Sequence, residues 1–361
     1  MIQPRANLGL AIDGGGVRGL LVAQGLVTLE RELGGKPLIE HPSVKVLAGT
    51  STGALITAAI ALGFTANEIV HFYLDRAQYI FPVLFPAWLP QPIQSLLKNL
   101  IALLRPNLYT PDHFRTFLRD TIKSKTGNAD FTLADLNKRL RSDQTLIITT
   151  VDVNERRTRF LKSYQADEGD WTLWEAVLAS SSAPTAIKAL ARKGHFYTDG
   201  GVGSFGNPAY TVARELVEWN GCPASETSVF SFGTGWVDAA NYQRSHGPAD
   251  RWNALTWALN APFVITDDAL RAESLELINR FVQQGGGMDY RRFQMALQTD
   301  IDFEDSTTPT LQVLQALGKD LEKRIANDQH ALSDPRFDPE GIGANVDRYQ
   351  RSLTAAQSRS R

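Results

Sequence analysis

The chain has 361 residues, 43% of them hydrophobic, with 37 Lys plus Arg against 39 Asp plus Glu and a formal net charge of -2. That length supports one large domain or two small ones around a substantial buried core. Balanced charge, with no basic run and no basic residues interleaved with aromatics, argues against nucleic acid as a partner, and the lone cysteine, Cys222, excludes an intrachain disulfide.

Cys222 sits in "NGCPAS", a turn-like polar stretch with no catalytic motif around it. Its solitude fits a reducing compartment. The opening "MIQPRANLGLAID" has an apolar run too short for a secretory leader. No uninterrupted apolar stretch reaches membrane-spanning length. The expectation is a soluble, cytoplasmic protein.

In chain order, Leu8 to Ile12 reads as a short buried strand. Val22, Leu26, Leu29 and Leu33 then recur at helical spacing, and Gly34-Gly35 close that helix. Val44 to Leu47 is the next strand, followed by a tight turn and an apolar helix in "AGTSTGALITAAIALG". Thr65 and Glu68 form a capping box, and Thr110-Pro111 opens another helix with proline at its first position. The β-branched run Thr145 to Val153 is a buried strand, with "TRFLKSY" as its hairpin partner. A second capping box, Thr172 to Glu175, opens a helix through Leu178, and Ser228 to Phe232 is a further strand. Alternating strands and helices predict an α/β core with helices on both faces of a sheet. No linker-like boundary interrupts residues 1–330, and residues 331–361 read as a C-terminal extension whose polar end, "SLTAAQSRSR", is expected to be disordered.

Three turns carry chemistry. The first is Asp13-Gly14-Gly15-Gly16-Val17-Arg18-Gly19, between a strand and a helix. Gly14, Gly16 and Gly19 satisfy G-x-G-x-x-G, which cradles a dinucleotide pyrophosphate. The same bare N–H groups could instead surround a developing oxyanion. A dinucleotide site wants an acidic residue at the end of the second strand. Glu40 has about that spacing, but it precedes the strand, which ends at Gly49 and Ser51.

The second turn, Gly49-Thr50-Ser51-Thr52-Gly53, is G-x-S-x-G between a strand and a helix, the setting of a nucleophile elbow. A serine that merely caps a buried helix would read the same way. A serine nucleophile needs a base. His41, His71, His113, His195, His246 and His330 all lack a catalytic context, whereas Asp199, leading into Gly200-Gly201, follows a strand-like segment. Aspartate before two glycines is also an ordinary turn, so it gains weight only in combination.

Taken together, these three turns in this order resemble the patatin-like phospholipase family, with its D-G-G-G-x-R-G turn, G-x-S-x-G serine and D-G-G/A aspartate. "AVLASSSAPT", "GGVGSFGNP" with Asn207-Pro208, and "VFSFGTG" agree as well, so that the resemblance covers about residues 7–300. It implies a single catalytic domain over 1–330 with a three-layer α/β/α architecture and a mostly parallel central sheet. It further implies a lipid acyl hydrolase acting on phospholipids or lysophospholipids through a Ser-Asp dyad and an acyl-serine. Ser51 would be the nucleophile and Asp199 the general base. Gly14, Gly15 and Gly16 would offer oxyanion N–H groups, with Arg18 supporting their loop. Asp13, Gly19, Gly49, Gly53, Gly200 and Gly201 would complete the motifs. No cofactor and no metal are implied.

Acyl transfer to an alcohol is the same chemistry with another acceptor, and a nucleotide-binding regulator built on the first turn is the alternative of a different class. Residues 79–104 suggest how a lipid could be met. Phe81, Phe85 and Trp88 alternate with prolines, and Ile93, Leu96, Leu97, Leu100 and Leu104 follow at helical spacing. That segment reads either as a core helix with a stiff connection or as a membrane-facing cap for peripheral contact. Some members of the family are regulated by a partner or small molecule. No sensor motif is recognisable here, so no regulatory ligand is assigned.

Overall fold

The computed structural model describes residues 2–83, 107–284 and 286–346. Most of the expected cap segment, residues 84–104, lies outside the described residues.

The first half comprises β1 (Asn7–Ile12), α1 (Gly19–Glu32), β2 (Val44–Thr50), α2 (Thr52–Ala61), α3 (Ala66–Ile80), α4 (Pro111–Thr126), α5 (Leu133–Arg139), β3 (Thr145–Asp152), β4 (Arg157–Lys162) and α6 (Leu173–Ser180). The second comprises β5 (Leu190–Arg192), β6 (His195–Asp199), α7 (Ala209–Arg214), β7 (Thr227–Phe232), β8 (Trp236–Val237), α8 (Ala239–His246), α9 (Ala254–Leu277), β9 (Asp289–Phe293), β10 (Ala296–Leu297) and α10 (Thr308–Ala326).

Among the described residues the main sheet runs β5-β6-β3-β2-β1-β7-β9, with β4 paired to β3. The pairs from β3 through β9 along this path are parallel, and β4, β5 and β6 add an antiparallel edge. Parallel sheets need both faces covered, and β1 shows how one strand serves two layers. Leu8, Leu10 and Ile12 enter a large core, whereas Ala11 belongs to a second core on the opposite face. The second face must be small at β1, because a Cβ at Gly9 would overlap Val212 of α7. The same alternation divides β2 and β7, and three layers result.

Local signals set the helix starts. Thr65 and Thr172 each accept from the backbone three residues on while the Glu68 and Glu175 carboxylates return the bond. Gly127 ends α4 in the left-handed region at φ 75°. Packing continues past residue 330, where the expected domain boundary falls. Ile342 is fully buried in the second core, and Leu332 and Val346 pack against it. Among the described residues no helix is long and apolar enough to cross a membrane.

Candidate active site

The sheet register brings two distant turns together. β2 pairs with β3 up to Thr50 opposite Thr149. β6 takes over at the next residue, with Thr150 opposite Asp199. The residue after Thr50 is Ser51, so the end of β6 delivers Asp199 beside the start of α2. The Ser51 hydroxyl lies close enough to the Asp199 carboxylate to pull its pKa down. Both are nearly buried, at 9% and 7% exposure.

Ser51 stands at φ 54°, ψ -121°, a conformation an L side chain rarely adopts. Such strain persists only where the surroundings impose it. Here a Cβ at Gly49 would overlap the Gly53 carbonyl, and one at Gly53 would overlap the Ile12 carbonyl of β1. The two glycines flanking the serine let strand, turn and helix pass at backbone contact. The reversal leaves Ser51 at the N-terminus of α2, where the helix dipole favours negative charge.

Asp199 accepts the Gly201 N–H on Oδ1 at 2.7 Å. A Cβ at Gly200 would overlap Thr149, which explains a glycine directly after the aspartate. Burial raises the Asp199 carboxyl to about 6, against the pull of the Ser51 hydroxyl and the Gly201 N–H. A carboxylate beside a hydroxyl thereby becomes a proton acceptor poised near neutral pH.

The glycine-rich turn lies over the same serine, since a Cβ on Gly14 would stand 3.2 Å from the Ser51 Cβ. The Gly14 N–H donates to the Gly206 carbonyl at 3.2 Å, so it is already engaged. Among the described residues the Gly15 and Gly16 N–H groups have no acceptor, which leaves these two as candidate oxyanion donors. In the same turn the Arg18 Nε and N–H both donate to the Gly15 carbonyl, at 3.4 and 3.1 Å. At Gly19, a Cβ would overlap Tyr73 and Thr52, so this glycine admits α2 and α3 close to α1.

Asp13 anchors the root of the turn. Its two carboxylate oxygens accept from Arg292 at 2.9 and 2.6 Å. Arg292 is fully buried and also meets Glu340 at 2.6 Å and Ser231 at 2.8 Å. Burial alone would lower the arginine's pKa, but the Asp13 and Glu340 carboxylates reverse this and hold the guanidinium charged. Sequence reading misses Arg292 and Glu340. The one signal is the alternation of β9, which puts Arg292 two residues from the buried Tyr290.

A phosphate reading of the turn meets an obstacle. The Phe303 carbonyl, an acceptor, lies against Gly16 and takes the Val17 N–H at 2.7 Å, near the start of α1 where a pyrophosphate would need free donors. Among the described residues no histidine hydrogen-bonds Ser51 or Asp199. His195 pairs with Asp152 at 2.8 Å and His246 with Asp300 at 2.8 Å. Asp152, Glu155 and His195 are the one group among the described residues with metal-ligand geometry. They gather at the start of β6, a strand's length from Asp199.

A strained serine thus stands beside a buried aspartate under a glycine turn, on an α/β/α scaffold, with no described histidine in contact with either. The patatin-like phospholipase model matches residues 10–212, and the chain belongs to that family. It is similar to a cGAMP-activated phospholipase of Escherichia coli (strain TW11681), 29% identical over 59% of this chain and 56% of the relative. It is similar also to patatin-like protein 2 of Arabidopsis thaliana, 30% identical over 57% of this chain and 52% of the relative. The match thus spans about half the length of these two relatives. Among solved structures, VipD from Legionella pneumophila aligns at 13% identity and a TM-score of 0.45, over 91% of this chain and 67% of that one.

Proposed function

We propose that this protein hydrolyses carboxylic ester bonds of phospholipids or lysophospholipids, with Ser51 as nucleophile and Asp199 as general base. The observation that carries the reading is the strained Ser51 at the start of α2 beside the buried Asp199, whose carboxyl burial raises to about 6. Asp199 takes the serine proton as Oγ attacks the ester carbonyl. The carbonyl oxygen becomes an oxyanion facing the Gly15 and Gly16 N–H groups and the N-terminus of α2. The proton passes to the departing alcohol, and the acyl group stays on Ser51. Water then repeats the sequence and releases the fatty acid. A lipid alcohol in place of water would make the same intermediate an acyl donor.

A lipid substrate is supported by the family and by the apolar surface near the dyad. Thr266 of α9 donates to the Gly201 carbonyl at 3.3 Å. Val202 and Ile265, each next in sequence to one partner of that contact, are exposed, as are Trp257 and Val264 on the same helix. Exposed apolar side chains beside a catalytic pair suit a substrate that arrives from a lipid phase.

The test is lipid mass spectrometry on mixed phospholipid vesicles, wild type against Ser51→Ala, together with fluorophosphonate labelling. The wild type should release fatty acid and gain the label's mass on Ser51, and the variant should do neither. Fatty-acid release that survives Ser51→Ala would overturn the reading. Since one relative is named for activation by cGAMP, the vesicle assay is run with and without that cyclic dinucleotide.

A further inference from the structure

The end of α6 is bonded to both halves of the dyad, and this gives a role to a residue no motif assigns. Ser180 is fully buried, and its Oγ accepts the Ser51 N–H at 2.8 Å. Two residues on, the Ser182 carbonyl accepts the Asp199 N–H at 3.1 Å and the Thr198 hydroxyl at 2.7 Å. The Ser182 hydroxyl folds back onto the Leu178 carbonyl at 2.8 Å, which ties this turn to its own helix. One rigid helix end therefore grips the nucleophile by a side chain and the base by the main chain.

The Ser51 N–H needs such an acceptor. The β2 ladder ends at Thr50 opposite Thr149, and a residue at φ 54° before the first turn of α2 has no intrahelical partner for its N–H. A buried N–H left unpaired is costly, so something must meet it.

We propose that Ser180 is a positioning residue for acyl transfer: its hydroxyl holds the strained elbow so that the Ser51 hydroxyl stays on Asp199. The inference rests on the Ser51–Asp199 reading. Without this acceptor the elbow relaxes and the serine drifts off the carboxylate. Two things follow. Turnover falls while substrate binding persists, because Ser180 is fully buried and is not itself exposed to a bound substrate. The acid limb of the pH profile also moves, because the Ser51 hydroxyl is one of the two neighbours that hold the Asp199 pKa down.

The experiment measures kcat, KM and the pH profile on a soluble short-chain ester for Ser180→Ala and for Ser180→Cys, which keeps the shape with a poor acceptor. Ser180→Thr keeps the hydroxyl. Ser163→Ala is the control: buried Ser163 also accepts a backbone N–H, that of Leu146 at 3.2 Å, but towards the opposite end of β3. Expected are a fall in kcat of about tenfold or more in the alanine and cysteine variants, KM within about twofold, an acid limb displaced to higher pH, and recovery in Ser180→Thr. Ser163→Ala should lose stability and keep the wild-type profile. A Ser180→Ala enzyme with wild-type kcat and acid limb, in a protein whose activity depends on Ser51, overturns this inference alone. A loss of kcat with an unmoved acid limb, matched by Ser163→Ala, overturns it too. Hydrolysis that survives Ser51→Ala overturns the underlying reading and this inference with it.

Discussion

Replacing Asp199 by asparagine should abolish hydrolysis and stabilise the protein in the same stroke. Burial raises the folded carboxyl from 3.8 to about 6. A carboxyl with the higher pKa in the folded state binds its proton more tightly there, so its stabilising contribution is complete below about pH 4. It is lost as pH rises through about 6, and above that the ionised group works against folding. The gap of about 2 pKa units, at 1.36 kcal/mol each, amounts to about 3 kcal/mol at pH 8. Asparagine is neutral throughout and nearly the same shape. Its oxygen can still accept the Gly201 N–H, and its amide can donate to the Ser51 hydroxyl.

Denaturant unfolding at pH 4, 6 and 8 reads the difference. Asp199→Asn should exceed the wild type by up to about 3 kcal/mol at pH 8, with the gap closing towards pH 4. Ester hydrolysis by the wild type should in turn fall off below about pH 6, where Asp199 becomes protonated and can no longer take the serine proton. The reasoning fails if the variant is no more stable than the wild type at pH 8, or if its advantage grows on acidification. It fails equally if the variant keeps most of the activity, because an amide cannot serve as the base.

Gly15→Ala should lower kcat by roughly a hundredfold with KM little changed, since the new Cβ would overlap Thr234 and turn an oxyanion donor away; steady-state kinetics showing normal kcat in a folded protein would remove Gly15 from the site. Arg292→Met should cost about 3–5 kcal/mol, because it strands two buried carboxylates, and adding Glu340→Gln should restore part of that loss in unfolding curves; a second mutation with no benefit would mean that the Glu340 charge is not what the guanidinium answers. Val202→Asp with Ile265→Asp should impair hydrolysis of vesicle lipid and spare a soluble ester; an equal loss on both substrates would make these residues part of the fold and not of lipid access.

What the sequence makes legible here is local. The glycine turn and the elbow each announce themselves within a few residues, because tight reversals against neighbouring backbone demand glycine at fixed offsets. The capping boxes at Thr65 and Thr172 are readable for the same reason. A third box, Thr132 with Asp135, goes unread because its return bond comes from the shorter aspartate. What the sequence hides depends on distant chain segments. Gly14 looks like its two neighbours until Gly206 takes its N–H. Ser180 is one serine of three in a row, and only its distance to Ser51 distinguishes it. Arg292 and Glu340 look like surface charges, yet both are buried. Nothing in their neighbours along the chain records that they meet.

The two Asp-Gly-Gly stretches differ in what their aspartates meet, not in sequence. Asp13-Gly14-Gly15 and Asp199-Gly200-Gly201 are identical in sequence, and both aspartates are buried at strand ends close to Ser51. Burial pushes both carboxyls to about 6, so proton affinity does not separate them. What separates them is the partner. Asp13 turns both oxygens to a guanidinium, in two charge-assisted bonds that fix its place. Asp199 faces only neutral donors, a backbone N–H and the Ser51 hydroxyl. A carboxylate held by a permanent cation anchors a loop. On the proposed reading a carboxylate that meets a neutral hydroxyl can take its proton, and of the two aspartates only Asp199 meets Ser51.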